Sequence, residues 1–178
     1  MTIWNKTAKY GAVAKFFHWV LAVLILLMLC LGFYMGTISD KVLKGVIVNL
    51  HKCLGLAILA LMILRGIWAL CNVRPAMPTN TRWWERRLER LVHYSFYVVL
   101  LAMPLAGWIG ASSAGKPPQY GSLALGLPLA HNGRLIDLAF QTHNFLAGVI
   151  IVLISIHIAA AFFHYFFKKD RVVQRMWF

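Results

Sequence analysis

From residue 138 to residue 167 the chain carries no Lys, Arg, Asp or Glu, yet His143, His157 and His164 stand inside the run QTHNFLAGVIIVLISIHIAAAFFHYFF. About 20 apolar residues suffice for a spanning helix, and in lipid an open segment must satisfy its own backbone, which a helix does. The run therefore reads as a membrane helix that carries imidazoles at some cost. Three further apolar runs of spanning length occur at 16–36, 45–70 and 91–111, beside 141–167. Composition agrees, with 61% hydrophobic residues and a mean hydropathy of +0.70, too apolar for a soluble domain of this length. The expected architecture is all-α: one integral-membrane domain over 1–178, folded as a four-transmembrane-helix bundle.

The basic residues set an orientation. Lys6, Lys9 and Lys15 precede the first span, Arg74, Arg82, Arg86, Arg87 and Arg90 lie between the second and third, and Lys168, Lys169, Arg171 and Arg175 follow the fourth. The other two connections hold only Lys41, Lys44, Lys116 and Arg134. Excess Lys and Arg marks the cytoplasmic side, which predicts both termini in the cytoplasm. The same distribution explains most of the net charge of +13. It argues against nucleic acid as a partner and for the lipid bilayer, because the charges flank spans rather than forming one face. A signal peptide is not expected at the start: the first run is long enough to span, contains His18 and has no A-x-A-like site after it. Cys30, Cys53 and Cys71 form neither C-x-x-C nor C-x-x-C-H, which excludes covalent haem attachment and argues against a disulfide framework.

The segment NVRPAMPTNTRWWERRLER joins the second and third spans. Its Trp83 and Trp84 suit the headgroup level, and Glu85 and Glu89 with Arg86 and Arg90 read as the amphipathic start of the third helix. Pro104 should kink that helix. The connection ASSAGKPPQYGSLALGLPLAHNGRLID has Pro-Pro and scattered Gly, which forbid a long helix, and enough leucine to pack over the end of the bundle.

His143 and His157 are two heptads apart, on nearly one face, and separated by about 21 Å along the helix. His164 lies seven residues further on. Given the alternating directions of the spans, His51 and His143 fall near the periplasmic end, and His18 and His157 near the cytoplasmic end. Two level pairs follow. Haem iron accepts two axial imidazoles, and helix bundles hold such cofactors in their interior. Gly55, one turn after His51, and Gly148, five residues after His143, would let a flat porphyrin approach the backbone. The expectation is two non-covalent b-type haems inside the bundle, with His18, His51, His143 and His157 as iron ligands. Lys52 and Arg65 stand at the two levels as partners for haem propionates. The simpler account, that an intramembrane histidine only bonds a neighbouring helix, weighs about evenly with function for His93 and His164. A histidine-based ion or proton transporter is the rival from another class. Against it, Asp40, Glu85, Glu89, Asp137 and Asp170 all lie outside the apolar spans, and zinc prefers four clustered ligands.

At this point the chain resembles the bacterial cytochrome b561 family, which is related to the cytochrome b subunits of nickel-iron hydrogenases and formate dehydrogenases. The resemblance rests on His18-Trp19 in KYGAVAKFFHWVLAVLILLMLCLGFYMG and on His-x-x-x-Gly with a later Arg in LHKCLGLAILALMILRGIW. It extends through LVHYSFYVVLLAMPLAGW and SSAGKPPQYGSLALGLP. Its most specific part is THNFLAGVIIVLISIHIAAAFFHYFFKKDRVVQRM, with two His at fourteen and a closing Lys-Asp…Arg-Met. It implies axial ligands at His18, His51, His143 and His157, and a place in the bacterial inner membrane. It also implies quinone chemistry: electrons pass between ubiquinone and a periplasmic donor, protein or small molecule, with superoxide oxidation among the activities of the family. The positive outer residues Lys41, Lys44, Lys52, Lys116 and Arg134 suit such a donor. A cytochrome b anchor subunit of a hydrogenase or other dehydrogenase is the second reading. Reducing quinone near the cytoplasm takes up protons there, and His93 and His164 are the candidates to assist.

Overall fold

The computed structural model describes residues 2–78 and 81–177. Four long helices dominate it: α1 (Ala12–Thr37), α2 (Lys41–Leu70), α3 (Trp83–Ser113) and α4 (Gly133–Phe162). At 1.5 Å per residue each is about 40 Å long or more, enough to cross a hydrocarbon core of about 30 Å with residues to spare. All four are apolar enough to do so. Each helix packs on its neighbour in sequence, and the α3–α4 contact is the most extensive.

The helices outrun the apolar spans because backbone helix and lipid contact are different properties. α4 begins at Gly133 rather than 141, since the Asn132 side chain caps it by accepting from the Leu135 N–H at 3.1 Å. Its first turns carry Arg134 and Asp137, which hydropathy does not read as membrane. Asp40 caps α2 in the same way through the Leu43 N–H, 2.7 Å. α3 starts at Trp83, where the Glu85 carboxylate accepts from the Arg82 N–H at 2.9 Å. Pro104 lies inside α3. α4 passes into one π-helical turn, Phe163–Lys168, and the tail ends in a short 3₁₀ turn, Val173–Arg175.

An apolar layer occupies the middle of the bundle: Leu21, Ile58, Met62, Val99, Leu100 and Ile150 are buried together. Ile150 lies seven residues from both His143 and His157, so this layer separates two histidine levels. Phe33, Leu70, Leu91, Val98, Phe145 and Phe162 point outward, as lipid-facing residues do. Lipid is as apolar as leucine, so dispersion and polar ties rather than water exclusion must hold such a bundle together.

Both termini lie at one end of the bundle, here the terminal end. The opposite, loop end is covered by a two-stranded hairpin, β1 (Gln119–Tyr120) with β2 (Leu123–Ala124). At the terminal end the N-terminal segment folds beneath α2: Trp4 stacks on Trp68 with ring centroids 4.9 Å apart, and the Asn5 amide donates to the Val73 carbonyl at 3.0 Å. Gly11 makes that fold possible, because a Cβ there would come within 2.2 Å of the Ile3 carbonyl oxygen. The tail is tied back as well. Lys15, only 6% exposed, donates to the Trp177 carbonyl, and the Trp19 indole donates to the Met176 carbonyl at 3.0 Å.

Candidate functional site: two histidine levels

The helices bring the histidines together in two groups. At the loop end, His51 on α2 faces His143 on α4, with ring centroids 6.1 Å apart. At the terminal end, His18 on α1 faces His157 on α4, also at 6.1 Å. Two imidazoles on opposite sides of one metal ion, with metal–nitrogen bonds of about 2 Å, have ring centres roughly 6 Å apart. Both pairs have the spacing that a bis-imidazole centre needs.

At the loop end a cavity of about 480 Å³ adjoins the pair, lined by His51, Lys52, Gly55, Met103, Gly107 and His143 among others. Its wall is mostly apolar, as suits a macrocycle. The Nδ1–H of His143 donates to the Met103 carbonyl at 2.9 Å. A carbonyl only accepts, so this bond fixes the tautomer and leaves Nε2 with its lone pair, the usual arrangement behind a metal-binding histidine. Gly107 clears the place for that ring: a Cβ there would come within 2.8 Å of His143 Nδ1. Across the cavity the Nδ1 of His51 is buried without a hydrogen-bond partner. An orphaned buried nitrogen is costly, and a ligand entering the cavity gives its imidazole a role. These residues fit a haem.

Lys52 lines this cavity, and its Nζ donates to the carbonyls of Lys116 at 2.9 Å and Pro117 at 3.1 Å, which pins the loop over the cavity. Asn49 holds the hairpin through two reciprocal bonds to the Gln119 backbone, at 2.8 and 2.9 Å. Of the two glycines expected to admit a porphyrin, Gly55 lines the cavity and Gly148 faces open space.

The terminal level differs by having a third imidazole. His93 on α3 lies 5.7 Å from His157, as does the Phe96 ring, and Trp19 meets His18 edge-on at 5.3 Å. The Nδ1–H of His93 donates to the Glu89 carbonyl at 2.7 Å, with the Glu89 carboxylate 3.1 Å away. That carboxylate is also paired with Arg74 at 2.5 Å. Tyr10 packs beside the pair, and burial pushes its hydroxyl above the usual range against the pull of Arg74. Arg65 holds its guanidinium 5.9 Å from the Tyr97 ring centroid and has no carboxylate partner among the described residues. His164 stands apart from the three rings. It sits on the π turn, where its Nδ1 meets the Asp170 carboxylate at 2.6 Å.

Sequence reasoning missed Gly107, Met103 and the acids behind His93 and His164. Gly107 offers no signal on its own, since its meaning depends on a ring 36 residues away. The Glu89 pairing was open to an i, i+4 reading of α3.

Known proteins agree with this architecture. The pattern of the family described as prokaryotic cytochrome b561 matches residues 9–178. Cytochrome b561 homolog 2 of Escherichia coli (strain K12) is 28% identical over 179 residues, covering 99% of this chain and 95% of that protein. Cytochrome b561 homolog 1 of the same strain is 28% identical over 93 residues, about half of each chain (52% and 53%). A protein of Yersinia pestis named probable superoxide oxidase CybB is 24% identical over 172 residues, covering 94% of this chain and 95% of its own. The chain belongs to the prokaryotic cytochrome b561 family and is a haem-b-binding, multi-pass cytochrome of the bacterial inner membrane.

Proposed function

We propose that this cytochrome, acting as one membrane domain over 1–178, carries electrons across the membrane through two haem b groups, from a periplasmic donor to ubiquinone. The observation that carries the reading is the pair of equal ring separations, 6.1 Å at each end of the bundle. His51 and His143 would hold the haem at the loop end, and His18 and His157 the one at the terminal end. Haem iron, when bound, supplies reversible one-electron chemistry. The protein would do the rest: the two imidazole pairs would hold the iron, the Leu21–Ile150 layer would keep water out between them, and α4 sets the two levels about 21 Å apart. Arg65, and Lys52 through the N–H left beside its two carbonyl bonds, would be cations for propionates at the two levels.

The basic residues gather at the terminal end, which supports a reading with both termini in the cytoplasm and His51 with His143 toward the periplasm. Superoxide suits the donor side, because the loop end carries Lys41, Lys44, Lys116 and Arg134, and because one relative is named for that activity. The balance is two superoxide anions, one quinone and two protons giving two dioxygen molecules and one quinol. Protonation falls to His93 or His164, both at the terminal end and each beside a carboxylate.

Stopped-flow absorbance of the purified holoprotein tests this directly. Superoxide should reduce the haems, and ubiquinone should reoxidise them. His93→Gln or His164→Gln should keep haem content and donor reduction and slow only reoxidation. One haem per chain by pyridine haemochrome would defeat the two-haem reading. Wild-type reoxidation in both variants would remove the quinone site from this end. Co-purification of an iron–sulfur subunit would favour a dehydrogenase anchor instead.

A further inference from the structure

A second cavity, of about 320 Å³, opens at the terminal end between the α2–α3 connection and the first turns of α3. Arg74, Arg86, Glu89 and Arg90 line it, with Pro75 and Met77. The single carboxylate is already committed, since Glu89 pairs with Arg74 at 2.5 Å and lies 3.1 Å from His93. Two guanidinium charges remain in surplus. Arg86 donates its Nε to the Thr81 carbonyl and Arg90 its Nε to the Arg86 carbonyl, each at 3.2 Å. These bonds orient both side chains, and neither has a carboxylate partner among the described residues. A fixed pair of guanidiniums four residues apart on one helix face suits phosphate oxygens.

The depth of the cavity says which phosphate. Trp83 and Trp84 at the start of α3 are exposed and mark the headgroup level. From there Leu88, Leu91, Tyr94 and Val98 form an exposed, mostly apolar track along α3 toward the middle of the membrane. A free phosphate would use the arginines and ignore that track. A phospholipid would use both. We propose that Arg86 and Arg90 form a headgroup site for an anionic phospholipid, whose acyl chains run along Leu91, Tyr94 and Val98. The site lies outside both histidine levels, and it requires only that the chain sit in a membrane.

Native mass spectrometry of the delipidated holoprotein tests it, with phosphatidylglycerol, phosphatidylcholine and inorganic phosphate as probes. Phosphatidylglycerol should bind in preference to phosphatidylcholine. At about one juxtamembrane charge interaction each, Arg90→Gln should weaken it roughly 5-fold, and the double change Arg86→Gln, Arg90→Gln roughly 25-fold. Arg134→Gln at the loop end should leave it unchanged. The visible haem spectrum reports folding, and Arg90→Gln keeps the test open if the double variant fails, because the Arg90 Nε bonds only its own helix. Equal binding of both lipids, unchanged affinity in Arg90→Gln, or full displacement of the lipid by inorganic phosphate would overturn the proposal.

Discussion

The two ends of the bundle solve different problems. Every ion pair among the described residues lies at the terminal end: Arg74–Glu89, His93–Glu89, His164–Asp170 and Lys168–Glu85. The tail and the N-terminal segment add backbone ties there, including Arg175 to the Ala76 carbonyl and the Ala76 N–H to Thr7. At the loop end the acids do other work, with Asp40 capping α2, and the cover is a short hairpin held by side-chain bonds over a 480 Å³ cavity. The imidazoles that meet ring to ring follow the same division, His51 with His143 at the loop end and His18, His157 and His93 at the terminal end. One end is closed by charge and has an imidazole to spare. The other is roomy, and no third imidazole meets its pair among the described residues.

That asymmetry predicts unequal losses when ligands are removed. His51→Ala or His143→Ala should abolish haem binding at the loop end, because no other imidazole meets that pair among the described residues. His18→Ala should leave partial occupancy at the terminal end, because His93 already lies 5.7 Å from His157. Pyridine haemochrome assays with reduced-minus-oxidised spectra read both quantities. Equal, complete losses at the two ends would show that His93 cannot reach an iron, and the trio would then have no bearing on ligation.

Gly107→Ala is the next largest change. A Cβ 2.8 Å from His143 Nδ1 is too close to stand, and a shift of the ring to relieve it would break its bond to the Met103 carbonyl. Loss of such a supporting bond commonly costs about 10- to 100-fold in metal affinity. Haem should leave the loop end faster while the terminal spectrum stays intact. An unaltered loop-end haem would mean that the helix shifts to absorb the methyl group.

How much of this was legible in the sequence depends on distance along the chain. The fourteen residues from His143 to His157, and from His51 to Arg65, are one-dimensional facts that translate into depth by helical rise alone. The helix count follows from apolar runs for the same reason. Gly107 beside His143, or Lys15 beside Trp177, 162 positions further along the chain, needs the packed bundle before it means anything. The start of α4 at Gly133 was hidden because Arg134 and Asp137 leave the lipid while the backbone stays helical. The Asp170 carboxylate beside His164 was hidden as well, because it is brought back by the turn that follows α4.

Lys168→Met tests the closed end with a smaller effect. Glu85 is 8% exposed, and its partner Lys168 sits far along the sequence, at the end of the π turn that follows α4. Removing one member of a fully buried pair costs about 3–5 kcal/mol. The Lys168 side chain is 18% exposed and Glu85 keeps its bond to the Arg82 N–H, so about 1–2 kcal/mol is expected here. Thermal melts followed by haem absorbance should show the terminal-end haem released first. Simultaneous loss of both haems would mean that the two ends unfold as one unit.

The smallest expected effect concerns the hairpin over the cavity. Asn49 donates its amide to the Gln119 carbonyl and accepts the Gln119 N–H, so one side chain stands in for a neighbouring strand. The site is exposed, and each such bond is worth about 0.5–1.5 kcal/mol. Asn49→Ala removes both and should speed hydrogen exchange at the Gln119 amide. The Leu125 amide, bonded to the Pro118 carbonyl at 2.9 Å, is the internal reference and should change little. Asn49→Asp separates bonding from packing, because it keeps the shape and the acceptor but sets an oxygen against the Gln119 carbonyl. If the hairpin is held by the reciprocal bonds, Asp should loosen it nearly as much as Ala. Wild-type exchange in Asn49→Asp would mean that packing and the Lys52 tether hold the cover. The loop end would then owe its closure to the same basic residue that lines its cavity, and the contrast between a charge-closed end and an open one would narrow.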